Sequence, residues 1–180
     1  MNMKQKIEQG REYLLGTYSQ VPVVFSSGEG CTLTDTEGKE YLDFVGGIAV
    51  NALGYGDKGL TKALNGVLDS GLLHCSNLYY NNQAIEAAKA ICTLAGMDKV
   101  FFCNSGAEAN EAALKLSRKF GHRSSPARTR VITMVDSFHG RTYGSVAATG
   151  QAKYHQNFDP LPQGFQYALF NDLGSVEALI

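Results

Sequence analysis

The residues whose types and spacing most clearly suit ligand binding lie between positions 101 and 111, where an apolar run is followed by Asn, Ser, Gly and Ala. The apolar run Lys99–Cys103 predicts a buried strand, and the Ala- and Leu-rich residues 106–120 predict a helix. A helix N-terminus carries unpaired N–H groups and a partial positive charge, which together bind phosphate. Ser105 would add a hydroxyl donor, and Gly106 would let the backbone approach the anion. The pattern therefore predicts a phosphate site at this helix start.

The same helix start has a second interpretation that needs no ligand. Ser105 and Glu108 have the spacing of a capping box, in which two side chains satisfy the free N–H groups of the helix end. A carboxylate at Glu108 would also repel a phosphate at this position unless it pointed elsewhere. The sequence leaves both interpretations open.

A second polar cluster follows the predicted buried strand Arg130–Val135. Phe138, His139 and Arg141 come directly after this strand, so they belong to the same edge of an α/β sheet as Ser105. Phe138 could offer a flat apolar face to a planar heteroaromatic ring, and Arg141 a guanidinium fork to a carboxylate. The alternatives are a core position for Phe138 and a surface position for Arg141. His139 is interpreted as a polar residue with satisfied hydrogen bonds and no acid–base role.

The first 52 residues predict a short helix followed by a small β meander. Residues 3–15 have the apolar spacing of a helix. Three short β-prone segments follow, and turn-forming residues at 26–30 and 35–38 separate them. These segments are Val21–Phe25, Cys31–Thr34 and Glu40–Phe44.

Residues 53–180 alternate predicted helices and strands, which is typical of an α/β domain with a mainly parallel sheet. Residues 58–70 and 83–95 have helical apolar spacing, and the chain ends in a helical segment, Asp172–Ile180. We therefore place a domain boundary between residues 52 and 53. Because only a few strands are present, we expect the chain to be a fragment of a larger protein.

Composition excludes several classes of function. The chain has 16 Lys and Arg against 17 Asp and Glu, a net charge of −1, which argues against a nucleic-acid or anionic-membrane partner. The sequence contains no apolar run of transmembrane length and no signal core, so a cytoplasmic location is expected. The four cysteines lack zinc-site spacing, so we expect reduced thiols and no metal site.

Taken together, these motifs resemble the class III aminotransferases. The matching segments are residues 41–54, 76–81, 102–111 and 137–144, and residues 157–162 and 167–173 also fit. They follow the family's order, and the resemblance therefore extends over nearly the whole chain. The resemblance implies pyridoxal 5'-phosphate as cofactor. It also implies the fold type I of pyridoxal-phosphate-dependent transferases, similar to aspartate aminotransferase. The chain would be the N-terminal portion: the meander and the first part of the large domain.

The resemblance implies roles for seven residues. Four would bind the cofactor, of which three hold the phosphate and one stacks on the ring: Ser105, Gly106, Ala107 and Phe138. Three would bind substrate. Arg141 would pair with the carboxylate of the amino donor, Tyr18 would lie near the substrate, and Ile48 would influence substrate choice.

Within the family, the segments are most similar to the branch that transfers the amino group of N-acetylornithine to 2-oxoglutarate in arginine biosynthesis. The alternatives are another ω-amino donor (ornithine, succinylornithine or 4-aminobutyrate), an aminomutase, or a non-catalytic ligand-binding fragment. The resemblance also implies a homodimer for the full-length enzyme. The family's catalytic lysine lies beyond position 180, so these 180 residues contain no catalytic residue. We expect no turnover from them alone, and glutamate formation by the purified chain would contradict this expectation.

Overall fold

The computed structural model describes residues 1–180, which form two compact units, Met1–Asn81 and Asn82–Ile180. The first unit begins with helix α1, Met3–Tyr13. Its N-terminus is closed by a reciprocal capping box, in which the Gln5 amide donates to Asn2 Oδ1 (2.9 Å) and the Asn2 amide donates to Gln5 Oε1 (3.0 Å). The predicted helix over 3–15 is confirmed.

Three antiparallel strands follow α1: β1 (Phe25–Glu29), β2 (Thr32–Asp35) and β3 (Glu40–Leu42), in the sheet order β1-β2-β3. The predicted meander is confirmed, but the position of its first strand is wrong. Val21–Phe25 was predicted as strand and 26–30 as turn, whereas the strand begins at Phe25 and continues to Glu29.

Gly28 explains this shift, because glycine in a strand also permits close approach by another group. A Cβ atom on Gly28 would lie only 2.8 Å from the ring of Tyr55. The glycine-rich segment therefore pairs with β2 and leaves room for an aromatic ring.

The rest of the first unit contains one left-handed turn and one long helix. The turn, α2 (Gly46–Ala49), has positive φ angles at all four residues, including 61° at Ile48 and 64° at Ala49. Helix α3 spans Lys58–Asp69 and begins at Asp57, whose Oδ1 accepts from the Leu60 amide at 2.7 Å. The predicted helix over 58–70 is confirmed.

The second unit contains four α-helices, a 3₁₀ turn and a two-stranded parallel sheet. The elements in chain order are α4 (Asn82–Ala95), α5 (Gly106–Gly121), β4 (Val131–Met134), α6 (Tyr143–Ala148), the 3₁₀ turn Ala152–Tyr154, β5 (Phe165–Ala168) and α7 (Leu173–Glu177). Strands β4 and β5 pair in parallel, with Val131 opposite Phe165 and Met134 opposite Ala168. The predicted helices, the strand after Arg130 and the parallel pairing are confirmed. No helix in the chain combines the length and apolar character that a bilayer span requires.

The predicted buried strand Lys99–Cys103 is wrong. These residues form no strand, and the side chains of Phe101 and Phe102 are 69% and 50% exposed. A strand needs a neighbour that pairs with its N–H and C=O groups. No such neighbour pairs with these residues, so the segment has no regular secondary structure and simply connects to α5.

Helix α6 is the centre of the second unit. Four of its six residues, Ser145 to Ala148, are buried, and the Thr149 that follows is fully buried. The last turn of a helix leaves carbonyl groups without intrahelical donors. Three side chains from outside α6 donate to carbonyls at this end: Thr133 to Ala148 (2.7 Å), Tyr167 to Ala147 (2.7 Å), and His155 Nε2 to both Val146 (2.9 Å) and Thr149 (2.7 Å).

Candidate functional site

The start of α5 is built as a capped helix end. Ser105 has an extended backbone, and its Oγ accepts from the Glu108 amide at 3.2 Å. The Glu108 carboxylate does not return to Ser105; it accepts from the Asn104 amide at 2.7 Å and from Asn104 Nδ2 at 3.1 Å. The capping interpretation is therefore confirmed for Ser105, while the acidic partner binds one residue earlier than predicted.

Two backbone donors at this helix start remain open to a ligand. Gly106 and Ala107 lie in the first turn, where N–H groups have no intrahelical acceptor. Apart from its chain neighbours and the backbone of its own helix, no atom lies within 4 Å of the position that a Cβ on Gly106 would occupy, so the space beside this residue is open. A phosphate group could bind there, although the negative charge of Glu108 lies at the same helix end.

The second predicted cluster lies directly against this helix start. Ser145 Oγ donates to the Ala107 carbonyl at 3.2 Å, and Asn110 Nδ2 donates to the His139 carbonyl at 2.7 Å. A Cβ on Gly140 would lie 2.7 Å from Ala107 Cβ, so only glycine allows this approach. The structure therefore brings the two stretches together as predicted, although residues 99–103 before the first stretch form no strand.

Phe138 and Arg141 are neighbours on the surface of this cluster. Phe138 is 52% exposed, so the alternative of a core position is wrong. Its ring centroid lies 5.4 Å from that of Tyr154, with the planes at 59°, and Arg141 Cζ lies 6.0 Å from the same centroid. A half-open aromatic ring thus stands beside an exposed guanidinium group.

His139 departs from its predicted state. Its backbone is held firmly, because the amide donates to Thr149 Oγ1 at 2.9 Å and the carbonyl accepts from Asn110. Its Nε2 atom, however, is buried and has no hydrogen-bond partner. The interpretation of His139 as a residue with satisfied hydrogen bonds is therefore wrong for this ring nitrogen. Buried polar atoms without partners are rare, so Nε2 of His139 is an exception.

Tyr18 and Ile48 belong to the first unit. Tyr18 is exposed and lines a cavity of about 590 Å³ between α1 and residues 20–24. Ile48 is 86% exposed on the left-handed turn α2.

A single carboxylate, that of Asp43, organises the loop that carries Ile48. It accepts from the Tyr55 hydroxyl at 2.7 Å and from the amides of Val45 (2.8 Å) and Gly46 (3.2 Å). These hydrogen bonds, that of Tyr55 first, hold the pKa of Asp43 below its ordinary value of 3.8. The same hydrogen bond raises the pKa of Tyr55. The ionised form of Asp43 therefore stabilises the loop.

Two residues of α5 were not predicted from the sequence, Asn110 and Glu111. Glu111 Oε1 accepts from Thr142 Oγ1 (2.6 Å) and from the amides of Gly144 (3.0 Å) and Ser145 (3.2 Å). Asn110 and Glu111 lie three and four residues after Ala107, so both share a helix face with Ala107. Polar residues at helical spacing from the phosphate-binding turn were the available signal.

The remaining residue types that could bind metal are dispersed. No group of three or more His, Cys, Asp or Glu side chains is arranged to hold a metal ion. The four cysteines are unpaired thiols.

Comparison with known proteins identifies the family. The family model for aminotransferase class-III matches residues 15–178. The acetylornithine aminotransferase of Caldanaerobacter subterraneus subsp. tengcongensis is 48% identical over 164 residues, which are 91% of this chain and 42% of that protein. The acetylornithine aminotransferase of Aquifex aeolicus is 49% identical over 169 residues, which are 93% of this chain and 45% of that protein.

Solved structures show the same fold. The ornithine aminotransferase of Toxoplasma gondii superposes with a TM-score of 0.91 at 27% identity, covering 99% of this chain and 43% of that one. An aminotransferase of Bacillus anthracis gives 0.85 at 29% identity, with 99% and 42% covered. The chain thus spans about two fifths of the length of the relatives it matches and has the fold type I expected of an N-terminal portion. It belongs to the class III aminotransferases, a family whose cofactor is pyridoxal 5'-phosphate.

Proposed function

We propose that this chain is the N-terminal, cofactor-binding portion of an aminotransferase. The enzyme would transfer the amino group of N-acetylornithine to 2-oxoglutarate, which is a step of arginine biosynthesis. The proposal is supported by relatives named acetylornithine aminotransferase at 48% and 49% identity. The cytoplasm is its proposed location. The proposed full-length form is a homodimer, with residues 1–52 and 53–180 belonging to its small and large domains.

One observation carries the proposal: the open donors of Gly106 and Ala107 lie against the segment that bears Phe138 and Arg141. A phosphate needs donors, a pyridine ring needs an apolar face, and a substrate carboxylate needs a cation. The same segment carries a buried polar atom without a hydrogen-bond partner, Nε2 of His139. The residues present therefore fit the cofactor of the family.

Each residue has one task in this proposal. Ser105, Gly106 and Ala107 bind the phosphate through a hydroxyl and two amides, and Phe138 packs on the ring. Bound pyridoxal phosphate supplies an electron sink and carries the amino group between the two substrates. Arg141 pairs with a carboxylate of each substrate in turn, because donor and acceptor share one pocket. The catalytic lysine is not assigned to any of these residues.

Two residues of the first unit are proposed to set substrate choice. Ile48 falls at a position where, by the resemblance, relatives vary between an aliphatic residue and tyrosine, and the aliphatic side chain favours an acetylated donor over free ornithine. Tyr18 would line the substrate pocket. Ornithine, succinylornithine and 4-aminobutyrate are the competing donors. Comparing kcat/KM for these three amines and for N-acetylornithine, measured on the natural protein that contains this chain, decides among the four donors.

The test of the phosphate site is Gly106→Ala. An added methyl group meets no protein atom, so stability should not fall and would rise by at most about 1 kcal/mol. The methyl would occupy the space proposed for the phosphate, so affinity for pyridoxal phosphate should fall about tenfold or more. Titration of the natural protein with pyridoxal phosphate, followed by absorbance and by urea unfolding, measures both effects.

Gly66→Ala is the matched control. Gly66 lies inside α3, also has no atom within 4 Å of an added Cβ, and is remote in sequence from the proposed site. It should gain similar stability and leave cofactor affinity unchanged. Equal affinities for the parent and for Gly106→Ala would contradict the phosphate site. A parent protein that binds no pyridoxal phosphate would favour a non-catalytic module.

A further inference from the structure

We infer that Glu111 is a positioning residue, which fastens residues 138–145 to α5 and thereby fixes Phe138 and Arg141 relative to the phosphate-binding turn. We call the hydrogen bonds from Thr142, Gly144 and Ser145 to the Glu111 carboxylate the clamp. These contacts are present whatever the function of the protein. The consequence of the clamp for substrate binding rests on the proposed function above.

The first argument is that Glu111 supplies a cap that α6 lacks. The residue that precedes α6, Thr142, makes no capping hydrogen bond of its own to this helix. The Glu111 carboxylate accepts instead from the Gly144 and Ser145 amides in its first turn, at 3.0 and 3.2 Å. A negative charge at a helix N-terminus is stabilising, and charge-assisted hydrogen bonds are the stronger kind.

The second argument is that Glu111 also holds the residue next to Arg141. Thr142 Oγ1 donates to Glu111 Oε1 at 2.6 Å, the shortest of the three hydrogen bonds. Gly144 leaves no space between α6 and this carboxylate, since an added Cβ would lie 2.5 Å from Glu111 Oε2. The half-buried carboxylate therefore packs directly against the segment that it binds.

The third argument is that the clamp lies on the face of α5 that includes the phosphate-binding turn. Ala107 contacts Ser145 and Gly140, and Asn110 binds the His139 carbonyl at 2.7 Å. Together with Glu111 they form a row along one face of the helix. Displacement of residues 138–142 from this row would move Phe138 and Arg141 away from Gly106 without changing the turn itself.

The C-terminal end of α6 is held separately, which makes the expected effect local. His155, Tyr167 and Thr133 bind the carbonyls at that end. Loss of the Glu111 carboxylate would therefore loosen the N-terminal half of the segment and leave its C-terminal half attached.

The experiment is hydrogen exchange by mass spectrometry on Glu111→Ala in the natural protein that contains this chain. Exchange in peptides that cover residues 139–146 should accelerate about tenfold or more, as expected when hydrogen bonds to a charged acceptor are lost. Peptides that cover β4 and β5 should exchange as in the parent. Glu86→Ala, which removes an exposed glutamate of α4, is the matched control and should change neither region.

Two further variants separate the clamp from a general loss of folding. Glu111→Gln keeps an acceptor oxygen and should restore most of the protection. Thr142→Val removes only the hydroxyl donor and should loosen residues 139–146 to a smaller extent. Parent-like exchange in both Glu111→Ala and Thr142→Val would overturn the inference, as would acceleration that is uniform over the chain.

Steady-state kinetics test the consequence for the substrate. Displaced Arg141 should raise KM for 2-oxoglutarate about tenfold in Glu111→Ala while kcat changes less, since the chemical groups remain. Partial unfolding alone would lower kcat and leave KM unchanged, and that result would overturn the positioning role. If the parent protein shows no transamination while the exchange pattern holds, the proposed function fails and the clamp stands.

Discussion

Two loops of this molecule are each organised by one carboxylate, but the two carboxylates act over very different distances in sequence. Asp43 accepts from residues 2, 3 and 12 positions further along the chain. Glu111 accepts from residues 31, 33 and 34 positions further along. The first loop can form from its own sequence, whereas the second needs a helix that is already in place.

The difference teaches where each loop is vulnerable. In the loop that Asp43 organises, Gly46 adopts a left-handed angle in open space, so a side chain at this position costs only backbone strain. In the segment that Glu111 holds, Gly140 and Gly144 pack against α5, so a side chain at either position overlaps atoms of that helix. Substitution of Gly140 or Gly144 should therefore be more damaging than substitution of Gly46.

The largest effect is expected for Gly140→Ala. Its Cβ would lie 2.7 Å from Ala107 Cβ, and the φ angle of 128° is unfavourable for alanine. The combination of overpacking and strain should lower the free energy of unfolding by about 3 kcal/mol. Gly46→Ala, with a φ angle of 55° and no neighbouring atom, should cost about 1 kcal/mol. Urea unfolding measures both, and equal losses would remove the contrast between the loops.

A smaller effect is expected for Asn110→Ala, which deletes one hydrogen bond from the row on α5. The His139 carbonyl would lose its donor, and the cost should be about 1–2 kcal/mol. Asn65→Ala, an exposed position on α3, should stay within about 0.5 kcal/mol of the parent. Thermal unfolding of the two variants checks this, and a loss in Asn65→Ala as large as in Asn110→Ala would contradict it.

The smallest effect is expected for Tyr55→Phe, which should change the pH at which acid unfolds the protein. The lowered pKa of Asp43 means that its carboxylate stabilises the fold above pH 3.8 and that this contribution is lost as the pH falls through the lowered pKa. Removal of the Tyr55 hydroxyl should raise the pKa of Asp43 and move acid unfolding to higher pH. The phenylalanine ring would still pack against Gly28. Titration of side-chain carboxyl carbons by NMR measures the pKa.

The matched control is a second tyrosine–aspartate pair in the same unit. Tyr41 donates to Asp35 Oδ2 at 3.0 Å. Burial opposes ionisation of Asp35, but hydrogen bonds from the Glu37 and Lys39 amides and from Tyr41 hold its pKa below the ordinary value. Tyr41→Phe should raise the pKa of Asp35 and leave that of Asp43 unchanged. Parallel shifts of both carboxyls in either variant would contradict the local origin of each effect.

Elements held by local chemistry could be predicted from the sequence. The Ser105 cap, the meander and the strand after Arg130 follow from patterns within a few residues. The first strand was misplaced because the role of Gly28 depends on Tyr55, which lies 27 positions away. The lead into α5 was misjudged because apolar composition at Phe101 and Phe102 indicates burial but not the partner that would provide it.

The candidate site also combines features that local sequence patterns predict with features that depend on residues distant in sequence. Its residue types and the proximity of its two segments could be predicted, because glycine and serine suit a phosphate, phenylalanine suits a planar ring, and arginine suits a carboxylate. The attachment of the segment that bears Phe138 and Arg141 could not be predicted, since it depends on Asn110 and Glu111, residues that meet it only after folding. The unpartnered Nε2 of His139 has no sequence signature either.

Helix α6 has only six residues, and a helix of that length is not stable alone in water. Both of its ends are satisfied by side chains of other elements, one acidic group at the start and three donors at the finish. Its stability therefore depends on α5 and on the parallel strands that supply these groups. Phe138 and Arg141 precede α6 directly, so loss of any of these elements should also displace the aromatic ring and the guanidinium group.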